Sequence, residues 1–271
     1  MKQIWRKLVG PSQSLLLLFD HLAGEAAFEF QEKIEEIGRY YTFGKLSEIV
    51  RRPLAPNASG MAAVVFAHAR KSVFLKAVPF LRGSGIPFTL FFQPECIGLN
   101  RLPAEEELRA YREYYPDKFS DETFANLLEQ SWLEPETVET FLRNCRREIG
   151  PLPVNHLDPT LFSVTWGKIL EIPPPQIELG IHLANSPLNL ESTRAAVDFI
   201  GMQTKVRPQL AFTTRSLGGQ ELAIASLREL GIRALMTTGE GIVERNTDPW
   251  NLPQWPIRKS EDSASKPLPS P

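Results

Sequence analysis

The side chains able to move protons or hold cations recur at one kind of place in this chain, just past short apolar runs. Asp20 and His21 follow residues 15–19, His68 follows 62–66, Glu95 follows 88–92, His182 closes 177–181, Arg215 follows 209–212 and Glu240 follows 232–236. Imidazoles and carboxylates are zinc and iron ligands and the usual general acids and bases, and a guanidinium binds carboxylates or sugar hydroxyls. Three of the four histidines fall in this set. The fourth, His156, lies elsewhere and is expected on the surface.

The apolar runs are what must position these groups. Four or five residues long and bounded by turn formers, they suit fully buried strands. Between them, residues 28–37 carry Phe30, Ile34 and Ile37 at a helical period, and a second helix is predicted over 45–52, ending before Pro53. Strand 62–66, helix 73–82 closed by Gly83 and Gly85, and strand 88–92 form a βαβ unit, which implies a parallel sheet or barrel. The same rhythm returns with strand 177–181, helix 191–201, strand 209–212, helix 220–230 ending at Gly231, and strand 232–236. In parallel α/β folds the loops at the carboxyl ends of the strands share one opening, so the polar residues just past them are the candidates for chemistry.

Residues 102–166 break the rhythm with charged helical segments punctuated by Pro103, Pro116, Pro135, Pro151, Pro153 and Pro159. That is too long for a connection, so a helical insertion in a single barrel domain, 1–258, is expected. Residues 259–271, rich in Ser and Pro, hold too little apolar surface to order themselves and are read as a disordered tail.

Thirty Lys plus Arg stand against 32 Asp plus Glu, a formal net charge of -2, which argues against a nucleic-acid partner because phosphate binding needs concentrated positive charge. Cys96 and Cys145 are far apart and outside any CxxC spacing, so two buried thiols are expected rather than a disulfide or a cysteine zinc site. The apolar run 15–19 after the basic start is too short for a signal core or a membrane span. A cytoplasmic location is the expectation, with an envelope-associated one second.

Several segments stand in a known order. Val64-Val65-Phe66-Ala67-His68-Ala69 is followed by Ala77-Val78-Pro79-Phe80-Leu81 and by Gly85-Ile86-Pro87-Phe88-Thr89-Leu90-Phe91. Then come Thr165-Trp166, Ile177-Glu178-Leu179-Gly180-Ile181-His182, and a closing block from Leu230-Gly231-Ile232 through Asp248-Pro249-Trp250-Asn251-Leu252-Pro253. The succession resembles the polysaccharide deacetylase family, the NodB-homology domain of carbohydrate esterase family 4, over nearly the whole length. The resemblance implies an irregular (β/α)7-type barrel and hydrolysis of N- or O-acetyl groups on glycans. It also implies a divalent metal, usually zinc, held by one Asp and two His beside a general-base Asp.

Set against that pattern, the base position is Ala67, the metal Asp is replaced by His68, the first metal His is kept as His182 and the second is replaced by Ser186. The motif after the fifth strand keeps only Arg215, and the late "LPR" reads Leu252-Pro253-Gln254. The leading expectation is a catalytically degenerate deacetylase-like protein that binds a glycan or acetylated oligosaccharide. The second is an active hydrolase with zinc or another divalent metal on His68 and His182, and Asp20, Glu95 or Glu240 as third ligand or base. The third is a scaffold that binds a protein partner through the 102–166 insertion. Substrate contacts are expected from His21, Arg215, Trp166 and Trp250. Each residue has a plainer role open to it: His182 as a hydrogen-bonded strand end, Asp20 and His21 as turn or capping residues, Arg215 in a salt bridge, the tryptophans in the core.

Overall fold

The computed structural model describes residues 13–20, 22, 26–51, 60–99, 102–118, 120–133, 135–152, 157–183, 190–214, 221–244 and 246–255. The apolar runs form strands β1 (Leu15–Phe19), β3 (Met61–Phe66), β4 (Phe88–Phe92), β5 (Ile177–His182), β6 (Leu210–Phe212) and β7 (Ala234–Glu240). Two further strands, β2 (Thr42–Phe43) and β8 (Leu252–Gln254), were not foreseen from the sequence. At two and three residues they are too short for any periodicity to register, and Pro253 in β8 reads as a strand breaker. Neighbours pair in parallel in the order β1-β3-β4-β5-β6-β7-β8, β2 adds to β3, and Leu17 bridges to Trp255 just past β8. The result is a nearly closed barrel of seven parallel strands, the (β/α)7 arrangement expected.

Alternation along the strands divides the core in two. Leu16, Ala63, Val65, Phe91, Leu210, Phe212, Ala234, Met236 and Leu252 fill the barrel interior. Leu15, Leu17, Val64, Phe66, Phe88, Leu90 and Phe92 face outward under helices α1 (Ala26–Gly38), α3 (Lys71–Gly83), α8 (Leu190–Thr204) and α9 (Glu221–Glu229). The interior is narrow. A Cβ on Gly180 would lie 2.4 Å from the Phe91 ring, so glycine there makes room for the aromatic.

One end of the barrel is plugged by α2 (Leu46–Arg51), whose Leu46 and Ile49 join the interior cluster. Its first amides are satisfied by interior side chains: Leu46 N–H donates to Thr89 Oγ1 at 3.2 Å and Ser47 N–H to Glu178 Oε2 at 3.0 Å. Chemistry is thereby confined to the opposite, carboxyl end.

The insertion folds as expected into helices, α4 (Ala104–Tyr114), α5 (Asp121–Leu133) and α6 (Pro135–Glu148), around a core of its own built on Leu108, Tyr111, Phe124, Val138 and Leu142. Its return is sewn to the barrel by Lys71 N–H to Phe162 O, Val164 N–H to Ala69 O and Gly98 N–H to Val164 O, ahead of α7 (Trp166–Leu170). Both thiols are buried and unbridged. Among the described residues no helix is long and apolar enough to cross a membrane.

Candidate functional site at the carboxyl end of the barrel

Three strand ends and one helix of the insertion converge at the mouth. β1 stops at Phe19 and presents Asp20, β3 runs out into Ala67-His68-Ala69-Arg70, and β5 ends on His182. His182 shares the inward parity of Gly180 and lies edge-on to the interior Phe212, ring centroids 4.9 Å apart. From the insertion, α4 brings Glu106.

Arg70 is the hub of this cluster, although it is 4% exposed. Its Nε donates to Asp20 Oδ1 and its Nη2 to Asp20 Oδ2, both at 3.1 Å, a bidentate pair. On the other side Nη1 donates to Glu106 Oε2 at 2.8 Å and Nη2 to Glu106 Oε1. One guanidinium thus spans two carboxylates, one from the barrel and one from the insertion. Burial opposes its charge, but Asp20 and Glu106 more than offset this and hold the Arg70 pKa above its ordinary value.

The two imidazoles are paired with each other. His68 Nδ1 and His182 Nδ1 are 3.3 Å apart, with ring centroids at 4.5 Å. Burial, reinforced by the Arg70 cation, lowers His68 to about 3. Burial and the neighbouring His68 likewise drive His182 well below its usual value, so both rings are neutral near pH 7 and share one N–H between them. The remaining nitrogen of His68, Nε2, faces Asp20 Oδ1 at 3.7 Å and Glu106 Oε1 at 3.9 Å.

The deacetylase resemblance implies a divalent metal, and among the described residues the three donors that come together are already bonded to a cation of the chain itself. Among the described residues His68 meets one further donor, His182, on its Nδ1 side, and Asp20 and Glu106 on its Nε2 side. The two sets use opposite nitrogens of one ring, so no single ion can draw on both. The side with three donors, Asp20, His68 and Glu106, already has a cation, Arg70, bonded to both carboxylates. Structural and catalytic zinc sites have three or four protein ligands on one ion.

Of the residues expected to serve as base or ligand, the structure gathers Asp20, His68 and His182. Glu240 ends β7, exposed and paired in register with Gln254, and is not among the carboxylates around His68. The backbone at Glu95 lies in the short turn Pro94–Cys96; its side chain, together with His21, His156, Ser186, Arg215 and the tail 259–271, falls outside the described residues. Trp166 packs edge-on against Phe92 and Phe199 and stays partly exposed, and Trp250 is 8% exposed under the Arg228 guanidinium. Sequence reasoning missed Arg70 and Glu106. Arg70 follows His68 by two residues and could have been flagged as a cation at a strand end needing a counterion; Glu106 carries no such mark among the acidic residues of α4.

A small pocket beside the cluster is lined by His68, Arg70, Phe92, Gln93, Cys96 and Leu161. Its interior of about 10 Å³ has room for roughly one water.

No protein-family model and no curated protein matches the sequence. Solved structures do match in fold. IcaB from Ammonifex degensii superposes with a TM-score of 0.60 at 13% identity, covering 91% of this chain and 92% of its own. The deacetylase PplD of Streptococcus pyogenes in complex with acetate gives 0.55 at 13% identity, with 91% and 92% covered. The deacetylase domain of BpsB from Bordetella bronchiseptica gives 0.56 at 11%, with 91% and 96% covered. The chain therefore shares the barrel fold of these deacetylase structures over most of its length.

Proposed function

We propose that this chain is a glycan-binding protein built on the deacetylase barrel and without hydrolytic activity. The observation that carries the reading is the state of the acid–base groups at the mouth. Hydrolysis of an acetyl group needs a base within reach of water and an electrophile to polarise the carbonyl. Here Ala67 stands at the base position, Asp20 and Glu106 are both bonded to Arg70, and the two histidines are turned toward each other. Loss of general-base catalysis alone costs about 10²–10⁴ in rate. The deacetylase neighbours support a glycan as the ligand class.

The test is acetate release from acetylated chitooligosaccharides, with and without added zinc, beside calorimetric binding of the same oligosaccharides. Binding without acetate release is the expected result. Absence of binding to acetylated and deacetylated oligosaccharides, or zinc-dependent release of acetate, would sink the reading.

One observation favours a second reading, an active metallohydrolase on His68 and His182. Their Nδ1 separation of 3.3 Å matches the roughly 3.3 Å between neighbouring ligands that tetrahedral zinc with bonds of about 2.05 Å requires. Zinc-dependent acetate release that is lost in both His68→Ala and His182→Ala is the outcome that would establish it.

A further inference from the structure

We infer that Arg70 is the resident cation of the mouth, holding closed a latent divalent-metal site made of Asp20, His68 Nε2 and Glu106. These three side chains place one donor atom each within 4.8 Å of one another. All three are acceptors toward that point when His68 donates its Nδ1–H to His182, since the neutral ring then has a lone pair on Nε2. One nitrogen and two carboxylate oxygens are the ligand types of a zinc site with an open position. The ligands also differ from the set implied by the deacetylase resemblance: Asp20 lies past β1 and Glu106 belongs to the insertion.

What fills the point instead is covalently part of the chain. The guanidinium cannot lose its proton in the accessible pH range, it is 4% exposed, and it donates four hydrogen bonds to the two carboxylates. A further donation from Nη1 to Leu161 O, at 3.5 Å, anchors it to the returning end of the insertion. Arg70 therefore does electrostatically what an ion would do there and joins the insertion to the barrel at the same time. It cannot bind an acetyl carbonyl or a water at an open coordination position, as an ion can.

The inference rests on the reading that the parent protein is not a metallohydrolase, and its test is separate from activity. Zinc is titrated calorimetrically into the parent, into Arg70→Met, and into Arg70→Gln, which removes the charge while keeping an amide donor. Cobalt(II) absorption reports the ligand geometry in each. The parent is expected to show no saturable zinc binding and the two variants one zinc per chain. Adding Asp20→Asn or Glu106→Gln to either variant is expected to lower that affinity by at least about tenfold, as loss of a metal-supporting group does.

Should either variant unfold, thermal melting in zinc and in EDTA replaces titration, and zinc-dependent refolding supports the inference. Zinc bound by the parent, or variants that melt identically in zinc and EDTA and take up no zinc, overturns it. Metal-independent acetate release by the parent would count against the proposed function and leave this inference standing.

Discussion

Glu106 and Glu107 are neighbours on α4, and each is bonded to an arginine, yet the two pairs belong to different bodies. Glu107 faces the core of the insertion and takes a bidentate grip from Arg146 on α6, at 2.7 and 2.6 Å. One carboxylate meets one cation, and the pair clamps two helices of the same unit. Glu106 faces the barrel, where Arg70 must serve Asp20 as well, and two neutral histidines complete the group. Here one guanidinium is shared between two carboxylates. A matched pair suffices to hold helices together; the shared cation, the paired imidazoles and the convergence of strand ends set the other cluster apart as the candidate site.

The largest expected difference comes from removing each arginine. Arg70→Met removes four hydrogen bonds from a buried guanidinium to Asp20 and Glu106; their side chains are 55% and 23% exposed, so water screens part of the loss, and the expected cost is about 2–3 kcal/mol. Urea unfolding of Arg70→Met beside the parent measures this. A cost no larger than that of Arg146→Met would erase the distinction between the clusters.

Acid sharpens the contrast next, because the mouth holds histidines and the Glu107 pair has none. His68 titrates at about 3 in the folded chain and near 6.5 when unfolded. Below pH 6.5 the unfolded state therefore binds the proton first. The stability that His68 contributes is complete above 6.5 and is lost progressively as the pH falls toward 3. By pH 5 the loss from this one group is about 2 kcal/mol, and His182, shifted in the same direction, adds to it. Melting temperature followed from pH 7 to 5 should fall in the parent and fall less in His68→Gln. An unchanged slope in that variant would assign the acid sensitivity elsewhere.

How much of this was legible in advance depends on the range of the interaction. The strands were, because runs such as Leu15–Phe19 and Phe88–Phe92 are apolar on both faces and short. Asp20, His68 and His182 were, because a residue just past a strand has its place fixed by the strand. The packing of Trp166 and Trp250 was less so, since an aromatic near a strand end reads the same whether it packs inward or stands open. Glu106 was hidden altogether. Nothing local separates it from Glu105 or Glu107, and it gains its role only when an insertion with its own core folds back onto the mouth. Arg70 could be placed at a strand end from its position two residues past His68, but its partners could not, since the two carboxylates are 50 and 36 residues away.

The smallest effect tests the other half of the comparison. The Arg146 side chain is a third exposed, while the Glu107 carboxylate it grips is buried, at 9%. Water screens the arginine and lowers the worth of the attraction, but a buried carboxylate left alone still loses its hydrogen bonds. Arg146→Met is therefore expected to cost about 1–2 kcal/mol, below the figure for Arg70→Met. Because the Glu107 pair lies within the insertion, the loss should appear as faster amide exchange in α4 and α6 with the barrel strands unchanged. Arg70→Met should loosen α4 and the loop after β3 together. Exchange that spreads into β3 and β5 on Arg146→Met would mean that the insertion and the barrel unfold as one unit, and that Glu106 and Glu107 differ in what they touch but not in what they hold.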